Sequence, residues 1–229
     1  MGKADLRIDW ATHEAAKYAC VNWHYSKCIP VGKLVKVGAW ENEKFVGVIL
    51  FARGATPNLG SPYGLSQDEC VELVRIAMTK HETSISRMVS LALKFLKKSN
   101  PKLKMIVSFA DQSQGHHGGI YQAGNWTYTG QGSAAKFYMI HGKLTHPRTL
   151  GSANLTQNLA GARKRDPNAK VVEVVGKHRY LMPLDDETKQ RILPLSKPYP
   201  KRVKEAMTDI QSEQRQGGTD PHAPNGLEK

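Results

Sequence analysis

The segment from Ser108 to Gly130 brings together, in one short stretch, residue types that could carry out chemistry. It begins at the end of an apolar run, residues 104–110, whose length and β-branched content predict a buried strand. Asp111 follows directly, which puts a carboxylate at the C-terminal edge of that strand. Because α/β proteins gather their site residues at such edges, Asp111 is a candidate acid or base.

A histidine pair and a glycine pair come next, followed by a tyrosine. His116 and His117 precede the glycines at 118–119, and residues 120–126 predict a short helix that carries Tyr121. Glycines at a loop-to-helix junction allow a ligand to approach the backbone closely, and the first turn of a helix offers free N–H groups. Taken alone, the carboxylate could be a helix N-cap and the histidines a solvated loop. The combination favours a functional site.

An arginine interrupts an apolar strand pattern. Residues 69–78 (ECVELVRIAM) alternate as a central strand does, and Arg75 lies within the apolar part. A buried guanidinium is costly without an anionic partner. Two explanations remain open: Arg75 forms an ion pair with a carboxylate such as Asp111, or it binds an anionic substrate.

Two other positions could contribute to a site. His24 and Tyr25 follow a predicted helix, residues 15–23, where a histidine can also be a favourable cation at the negative end of the helix dipole. Tyr63 lies in the Pro- and Gly-rich loop 56–64, and long ordered loops often carry binding residues. The alternative role of Tyr63 is to anchor that loop.

The elements that must position these residues alternate between strands and helices. A β-hairpin is predicted over residues 34–52, and a strand, a helix and a second strand follow between residues 69 and 110 as a right-handed crossover. Further strands are predicted at residues 6–10, 127–129, 135–140, 171–175 and 180–184. This order predicts an α/β fold with a mixed central sheet flanked by helices.

Charge is the strongest global property of the sequence. The 229 residues carry a formal net charge of +13 and a pI near 9.7, which point to a polyanionic partner, nucleic acid before an anionic membrane. Three scattered cysteines without a CxxC pair are a poor disulfide framework and fit a reducing cytoplasm. Since the chain has no signal peptide and no uncharged run of about 18 residues, no membrane span is expected.

The positive charge is concentrated in the C-terminal half. Residues 136–205 contain 15 Lys or Arg and 6 Asp or Glu. Such clusters are commonly solvated faces, but here they concentrate the global charge, so contacts with DNA are predicted. The candidate contacts are Arg163, Lys164, Arg165, Lys177 and Arg179. We expect one domain over residues 1–195, then a basic, polar helix and a disordered tail over residues 196–229.

The order of elements resembles the GNAT acyltransferase fold, and the segment around Tyr121 lies where that family has its fourth helix and its tyrosine. GNAT enzymes carry a glycine-rich turn for the pyrophosphate of coenzyme A between the central strand and its helix. Residues 79–86 (TKHETSIS) fill that position here without a glycine. The resemblance therefore implies the fold, while this departure argues against the usual mode of coenzyme A binding.

Seven motifs resemble, more closely still, the Mom family of phage DNA-modification proteins. They are WHYS at 23–26, VGKLVK at 31–36, NLGSPYGLS at 58–66, CVELVRIAM at 70–78, SFAD at 108–111, GHHGGIYQA at 115–123 and KHRY at 177–180. This resemblance covers about residues 5–184. It implies conversion of adenine in phage DNA to N6-(carbamoylmethyl)adenine, in the cytoplasm of the bacterial host, which shields the DNA from restriction enzymes.

The same resemblance implies which residues act. The catalytic residues carried over by motif are His24, Tyr25, Arg75, Asp111 and Tyr121. Asp111 would be the base or an orienting acid, Arg75 would hold an anionic donor or the site acid, and Tyr121 would donate or relay a proton. His24 and Tyr25 would shape the pocket. An iron ion is implicated in the family, and its expected ligands are His24, Asp111 and His116 or His117.

We therefore expect a DNA-acting transferase of GNAT-like fold, whose adenine substrate must leave the base stack. Trp23, Trp126 or Tyr63 could stack on this base, and Ser108 is a further candidate for substrate contact. The expected donor is glycyl-tRNA or acetyl-CoA, which makes tRNA a second candidate partner beside double-stranded DNA. The alternative function is a basic DNA-binding protein without catalysis. The missing glycine turn and the charge disfavour an ordinary acetyltransferase.

Overall fold

The computed structural model describes residues 5–54 and 57–201 of the chain. In this part the strands are β1 (Leu6–Trp10), β2 (Val35–Glu41), β3 (Lys44–Ala52), β4 (Cys70–Met78), β5 (Met105–Ala110), β6 (Thr127–Gln131), β7 (Ala135–Ile140), β8 (Lys143–Thr145), β9 (Lys170–Val174) and β10 (His178–Pro183). The helices are α1 (His13–Trp23), α2 (Ile85–Ser99), α3 (Gly119–Ala123), α4 (Pro147–Gly151), α5 (Leu159–Arg165) and α6 (Asp186–Ile192). Within these described ranges no helix is long and apolar enough to cross a membrane.

A seven-stranded mixed sheet forms the centre of the fold, in the order β1-β2-β3-β4-β5-β10-β6. Neighbouring strands are antiparallel except for β4 and β5, which the crossover through α2 makes parallel. The parallel pairing runs from Cys70 opposite Met105 to Leu73 opposite Ser108. Beyond this point the two strands are no longer paired with each other, and we call the region between their C-terminal ends the cleft.

A β-bulge lies on β4 beside this cleft. Leu50 of β3 pairs with Arg75 while Phe51 pairs with Leu73, so Val74 is an extra residue on β4. Bulges bend a strand and redirect its side chains, and they are common next to active sites. Here the bulge changes the direction of the residues that follow it, including Arg75.

Helices cover both faces of the central sheet. The apolar stripe of α2 (Met88, Val89, Ala92, Leu93, Leu96) packs in the main core with Ile49, Leu73 and Ile106. On the opposite face, small residues of α1 (Ala16, Ala19, Cys20) pack on Val48, Leu50 and Ala77. Thr12 caps α1 by accepting from the Ala15 N–H at 3.1 Å. Each fully buried large side chain of α2 contributes about 1.5–3 kcal/mol, whereas the small residues of α1 let that helix approach the sheet closely.

The turn between β4 and α2 is held by a carboxylate of the protein itself. Glu41, at the end of β2, is buried, and its two oxygens accept from the backbone N–H groups of Glu82 (2.8 Å) and Thr83 (2.6 Å). These amides directly precede the first turn of α2. The internal anion therefore takes the donors that an external phosphate would need.

A second, three-stranded sheet in the order β8-β7-β9 is inserted between β6 and β10. Residues of β7 pack with α4 and α5 in a separate small core, which contains Tyr138, Ile140, Leu150, Ala162 and Ala169. Gly132 and Lys177 close the base of this insertion, because the Gly132 N–H donates to the Lys177 carbonyl at 3.0 Å. The insertion, which carries the basic residues 163–165, is therefore folded around a core of its own.

Most expected elements are confirmed, and the differences have local causes. β1 and β7 match the predicted strands residue for residue, whereas α3 ends at Ala123 because Gly124 and Asn125 turn the chain, Asn125 with a φ of 57°. The sequence reading did not predict β8, α4 or α6, which are short and bury few residues. Residues 196–201 form no helix, and the rest of the predicted helix and tail lies outside the described residues.

Replacing Glu41 with alanine is expected to lower the free energy of unfolding by about 2 kcal/mol, because the Glu82 and Thr83 amides lose a charged acceptor. Thermal or chemical unfolding of the purified variant measures this loss. The matched control is Glu43→Ala, in the turn of the same hairpin, where an exposed carboxylate contributes within about 0.5 kcal/mol. Equal effects of the two substitutions would contradict the role given to Glu41.

The effect of Glu41 should also depend on pH. Burial raises the pKa of Glu41, but hydrogen bonds from Thr83 and Glu82 and the nearby His81 outweigh it and hold this pKa below its ordinary value of 4.5. A lowered folded-state pKa gives stability that is full above the unfolded pKa and is lost as pH falls through the folded one. The difference in the free energy of unfolding between the wild type and Glu41→Ala should thus shrink at pH values below 4.5.

Candidate functional site

The cleft between β4 and β5 brings together residues from four parts of the chain. β4 contributes Glu72 and Arg75, and the end of β5 contributes Ser108 and Asp111. Tyr121 comes from α3, while His24, Tyr25 and Cys28 lie in the loop after α1. The contacts described below link these groups, so the sequence motifs that are far apart in the chain meet at one place.

Ser108 and Tyr121 form the buried floor of the cleft. The Ser108 hydroxyl donates to the Leu73 carbonyl at 2.8 Å, and its oxygen lies 2.7 Å from the Tyr121 hydroxyl. Because the serine has one proton, the phenol proton of Tyr121 makes the second hydrogen bond. Burial is the main cause that raises the pKa of Tyr121 to about 12. Tyr121 is therefore a neutral phenol at physiological pH, able to donate a proton but not to act as a base.

A glycine allows α3 to reach this position. Gly118 caps α3 in the left-handed conformation with a φ of 82°, and a Cβ there would clash with the ring of Tyr180. The Tyr180 hydroxyl donates to the His117 carbonyl at 2.6 Å, and its ring centroid lies 5.1 Å from that of Tyr121. Gly118 thus allows close packing of the helix that carries Tyr121.

Arg75 crosses to the loop after α1. Its guanidinium donates to the Cys28 carbonyl, and Nη1 lies 3.8 Å from the Cys28 sulfur. Its Nε is buried and has no hydrogen-bond partner within the described ranges. Hydrogen bonds from Ser26 and Arg75 lower the pKa of the Cys28 thiol. These partners are neutral groups rather than the expected carboxylate, so the cation remains suited to an anionic ligand.

His24 is a neutral imidazole whose tautomer is fixed by its neighbours. The Ser26 N–H donates to Nδ1 at 3.1 Å, and the Ser26 hydroxyl lies 2.8 Å from the same atom. Since Nδ1 accepts, the proton of the neutral ring is on Nε2. Burial, Arg75 and His116 lower the pKa of His24 to about 4. His24 can therefore donate a hydrogen bond from Nε2 at physiological pH.

Aromatic rings line the outer part of the cleft. The rings of His24 and Tyr25 lie 4.2 Å apart, and those of Tyr25 and His116 lie 5.4 Å apart. Tyr25 is 56% exposed, so it presents a free ring at the mouth of the site. The role of Tyr25 in shaping the pocket stays a prediction.

Two carboxylates flank Lys177. Its Nζ lies 3.0 Å from Oδ2 of Asp111, so the expected partner Arg75 is replaced by a lysine from the start of the KHRY motif. Glu72 lies near the same lysine; burial raises the pKa of Glu72, and Lys177 opposes this effect. The negative charge of Glu72 also helps to raise the pKa of Tyr121. Sequence reading missed Glu72, although a glutamate within an apolar strand, three residues before Arg75, was a usable signal.

The predicted iron ligands do not form a metal site. His24 accepts at Nδ1 and keeps its proton on Nε2, while Asp111 is engaged by Lys177. In the part of the chain that the structure describes, no group of three or more His, Cys, Asp or Glu residues is placed to hold a metal ion. The set of His24, Asp111 and His116 or His117 therefore stays a prediction from the family resemblance.

Three aromatic residues predicted to stack on a base lie elsewhere. Trp126 is 1% exposed in the main core, and Tyr63 is 6% exposed in a second cluster beneath its loop. Trp23 is half-buried and packs against Phe45 and Tyr18. Packing inside the protein leaves Trp126 and Tyr63 no exposed ring face for a base. The structure therefore corrects the expectation that either residue stacks on adenine.

The predicted DNA contacts divide into two groups. Arg163, Lys164 and Arg165 are exposed in the last turn of α5, where cations also suit the helix dipole. Lys177 and Arg179 instead make internal contacts, because Lys177 pairs with Asp111 and Arg179 donates to the Tyr63 hydroxyl at 3.3 Å. The Lys177 side chain is nevertheless 55% exposed, so Lys177 and the α5 triplet are the predicted contacts that face solvent.

Solved structures similar to this chain include several acyl-transferring enzymes. A Bacillus subtilis acetyltransferase in complex with CoA is 14% identical, with 80% of this chain and 100% of that chain covered and a TM-score of 0.43. An N-acyl amino acid synthase from uncultured soil microbes is 14% identical, with 83% and 95% covered and a TM-score of 0.44. The α/β assignment itself follows from the mixed sheet and its parallel β4–β5 pair.

A curated relative is similar over most of its length. The chain is 26% identical over 207 residues to methylcarbamoylase Mom of Escherichia phage Mu, and the alignment covers 87% of this chain and 86% of that protein. A match to the Mom protein family extends over residues 5–201, which include every residue of the cleft described above. This chain therefore belongs to the Mom protein family.

Proposed function

We propose that this protein is a transferase that converts adenine in DNA to N6-(carbamoylmethyl)adenine and so protects phage DNA from restriction in the host cytoplasm. The observation that carries the proposal is the cleft where β4 and β5 separate, because it collects a buried phenol, an arginine and two carboxylates. Family membership and the name of the phage Mu relative support this reading. The net charge of +13 supports DNA as the substrate.

Each polar group in the cleft suits one step of a transfer to the adenine N6. Asp111, held by Lys177, accepts the N6 proton as the base or orients the group that does, and Glu72 is a second proton acceptor nearby. His24, with its proton on Nε2, donates to the oxygen of the reacting carbonyl. Arg75 holds an anionic part of the donor, and Tyr121 supplies or relays a proton.

The donor is proposed to be an activated glycine, glycyl-tRNA, rather than acetyl-CoA. Glu41 already occupies the amides before α2 that would bind the pyrophosphate of coenzyme A in the usual GNAT manner. The product also favours glycine, because the carbamoylmethyl group, –CH2–CO–NH2, is an isomer of the glycyl group, –CO–CH2–NH2. A transfer of glycine therefore supplies every atom, whereas an acetyl group lacks the second nitrogen.

The proposed reaction balances without a redox step. Adenine N6 attacks the glycyl ester, and the ribose hydroxyl of the tRNA leaves. The free glycyl amine then attacks C6 and forms a five-membered spiro intermediate. When the bond between C6 and the original N6 breaks, the glycine nitrogen remains on C6 and the original N6 becomes the terminal amide. Proton donors and acceptors on both sides of the cleft are what these steps require.

Asp111→Asn, Tyr121→Phe and Arg75→Ala should each lower adenine modification by about 100-fold or more, because each removes a proton-transfer or charge-stabilising group. Digestion of DNA from expressing cells to nucleosides, followed by mass spectrometry, measures the product. The matched control is Tyr138→Phe, which removes a buried phenol in the small core and should leave activity unchanged. Near-normal modification by a folded Asp111→Asn protein would remove that residue from the mechanism.

Isotopic labelling tests the donor. With 15N-glycine, the label should appear on the nitrogen bonded to C6, and the original adenine N6 should become the terminal amide. Fragmentation of the labelled nucleoside distinguishes the two positions. Product that carries label from acetyl-CoA and none from glycine would exclude the glycyl route. A chain that binds DNA but yields no mass shift on adenine would instead support the non-catalytic alternative.

Neutralising Arg163, Lys164 and Arg165 together with glutamine should weaken binding to double-stranded DNA and reduce its salt slope by up to about three. Binding titrations at several salt concentrations measure the slope. The control neutralises three exposed lysines on other elements, Lys17, Lys44 and Lys102, and so removes the same net charge. Equal slopes for the two triple variants would mean that the α5 cluster is only a solvated face.

A further inference from the structure

One face of the small sheet is left uncovered in the described part of the chain. Tyr138 and Ile140 of β7 point to α4 and α5 and are buried. On the opposite side the register places Phe137 beside Val172, and Met139 beside Leu144. We call this side the open face and define it by Phe137, Met139, Leu144, Val172 and Val174. Leu144 is 43% exposed, the others are half-buried, and none belongs to a core cluster of the described residues.

An aromatic pair stands at one end of the open face. The ring of His146 meets the ring of Phe137 edge-on, with centroids 4.9 Å apart. Burial, Arg148 and Lys177 lower the pKa of His146, so its ring is neutral at physiological pH. A neutral imidazole and a phenyl ring, both reachable from solvent, are the kind of surface on which unpaired bases stack.

The charges around the open face have one sign. Lys170 lies opposite Met139 on the same side of the sheet, and Arg148 and Lys177 are close enough to His146 to affect its pKa. Glu173, which the register puts beside Lys136, faces the other way. In sequence, residues 132–177 hold eight Lys or Arg and two Asp or Glu. A protein partner would meet lysines that protein interfaces tend to exclude, whereas a nucleic-acid strand matches apolar rings rimmed by cations.

The open face is also connected to the cleft. Lys177, at the base of the insertion, reaches Asp111 at 3.0 Å. Beside it, the Gln131 side chain donates to the Gly176 carbonyl and to Gln112 Oε1, both at 2.7 Å, which ties the insertion to the segment after Asp111. Because Lys177 also lies near enough to His146 to affect its pKa, this lysine links the aromatic end of the open face to the cleft.

We propose that the open face binds unpaired nucleotides of the DNA strand that flank the target adenine, with bases stacked on Phe137 and His146 and phosphates near Lys170 and Arg148. This inference rests on the proposed action on DNA. It explains why a modifying enzyme would expose an apolar sheet surface. An adenine that leaves the duplex disturbs its neighbours, and a stacking surface offsets the loss of their base contacts.

The test uses the full-length protein and a dye-labelled single strand of thymidines. This probe contains no adenine and needs no donor, so its binding is independent of whether the protein modifies DNA. Fluorescence anisotropy should show that Phe137→Ala weakens binding about 5- to 100-fold, since stacking of one base is lost. Phe137→Leu should also weaken binding, because leucine preserves apolar volume but has no ring on which a base can stack. Lys170→Gln should reduce the salt slope by about 0.7.

The control is Trp10→Ala, an exposed ring of similar size on β1, at the far edge of the central sheet. It should leave the affinity unchanged. Crosslinking of 5-iodouracil placed in the strand should recover the peptide that contains Phe137. Unchanged affinity of both Phe137 variants, or an equal loss with Trp10→Ala, would overturn the proposal. A dimer that Phe137→Ala dissociates, seen by analytical ultracentrifugation, would also overturn it, because the face would then bind a second copy.

Discussion

The loss of pairing between β4 and β5 after Leu73 and Ser108 is the constraint on which the rest of the structure depends. Two parallel strands that separate leave backbone groups without their usual partners, and each buried group that stays unpaired costs about 1–3 kcal/mol. At the point of separation, the Ser108 hydroxyl donates to the Leu73 carbonyl and so gives this buried acceptor a partner. The same serine oxygen is hydrogen-bonded to the Tyr121 hydroxyl, so one side chain both satisfies the strand and positions the phenol.

The electrostatics of the cleft follow from its position inside the sheet. Burial keeps Tyr121 and His24 uncharged, while Lys177 offsets the charge of Asp111 and acts on Glu72. The neutral partners of Arg75 leave its positive charge in place for an incoming anion. Neutral donors, a fixed cation and carboxylates thus lie close together, a combination that suits the proposed transfer to adenine N6.

The sequence was informative where local chemistry determines structure. β1 and β7 were predicted because strand alternation acts over a few residues. Asp111 was placed correctly at the end of β5 for the same reason. The partners of Asp111 and Arg75 could not be predicted, since they depend on a lysine and a cysteine loop that are distant in the chain. Trp126 was misjudged because burial of a ring is decided by tertiary packing.

The way in which the insertion joins the central sheet has an evolutionary consequence. β6 and β10 pair with each other, so the chain leaves the sheet and returns to it at adjacent points, closed by the bond from Gly132 to Lys177. Everything between these two residues has its own core and can vary in length and surface without disturbing the register of the sheet. Lineages could therefore exchange this module to change how a target is presented while the reaction centre stays constant. Under the proposed function, preference for a DNA context and competence for chemistry would then be inherited as separate traits.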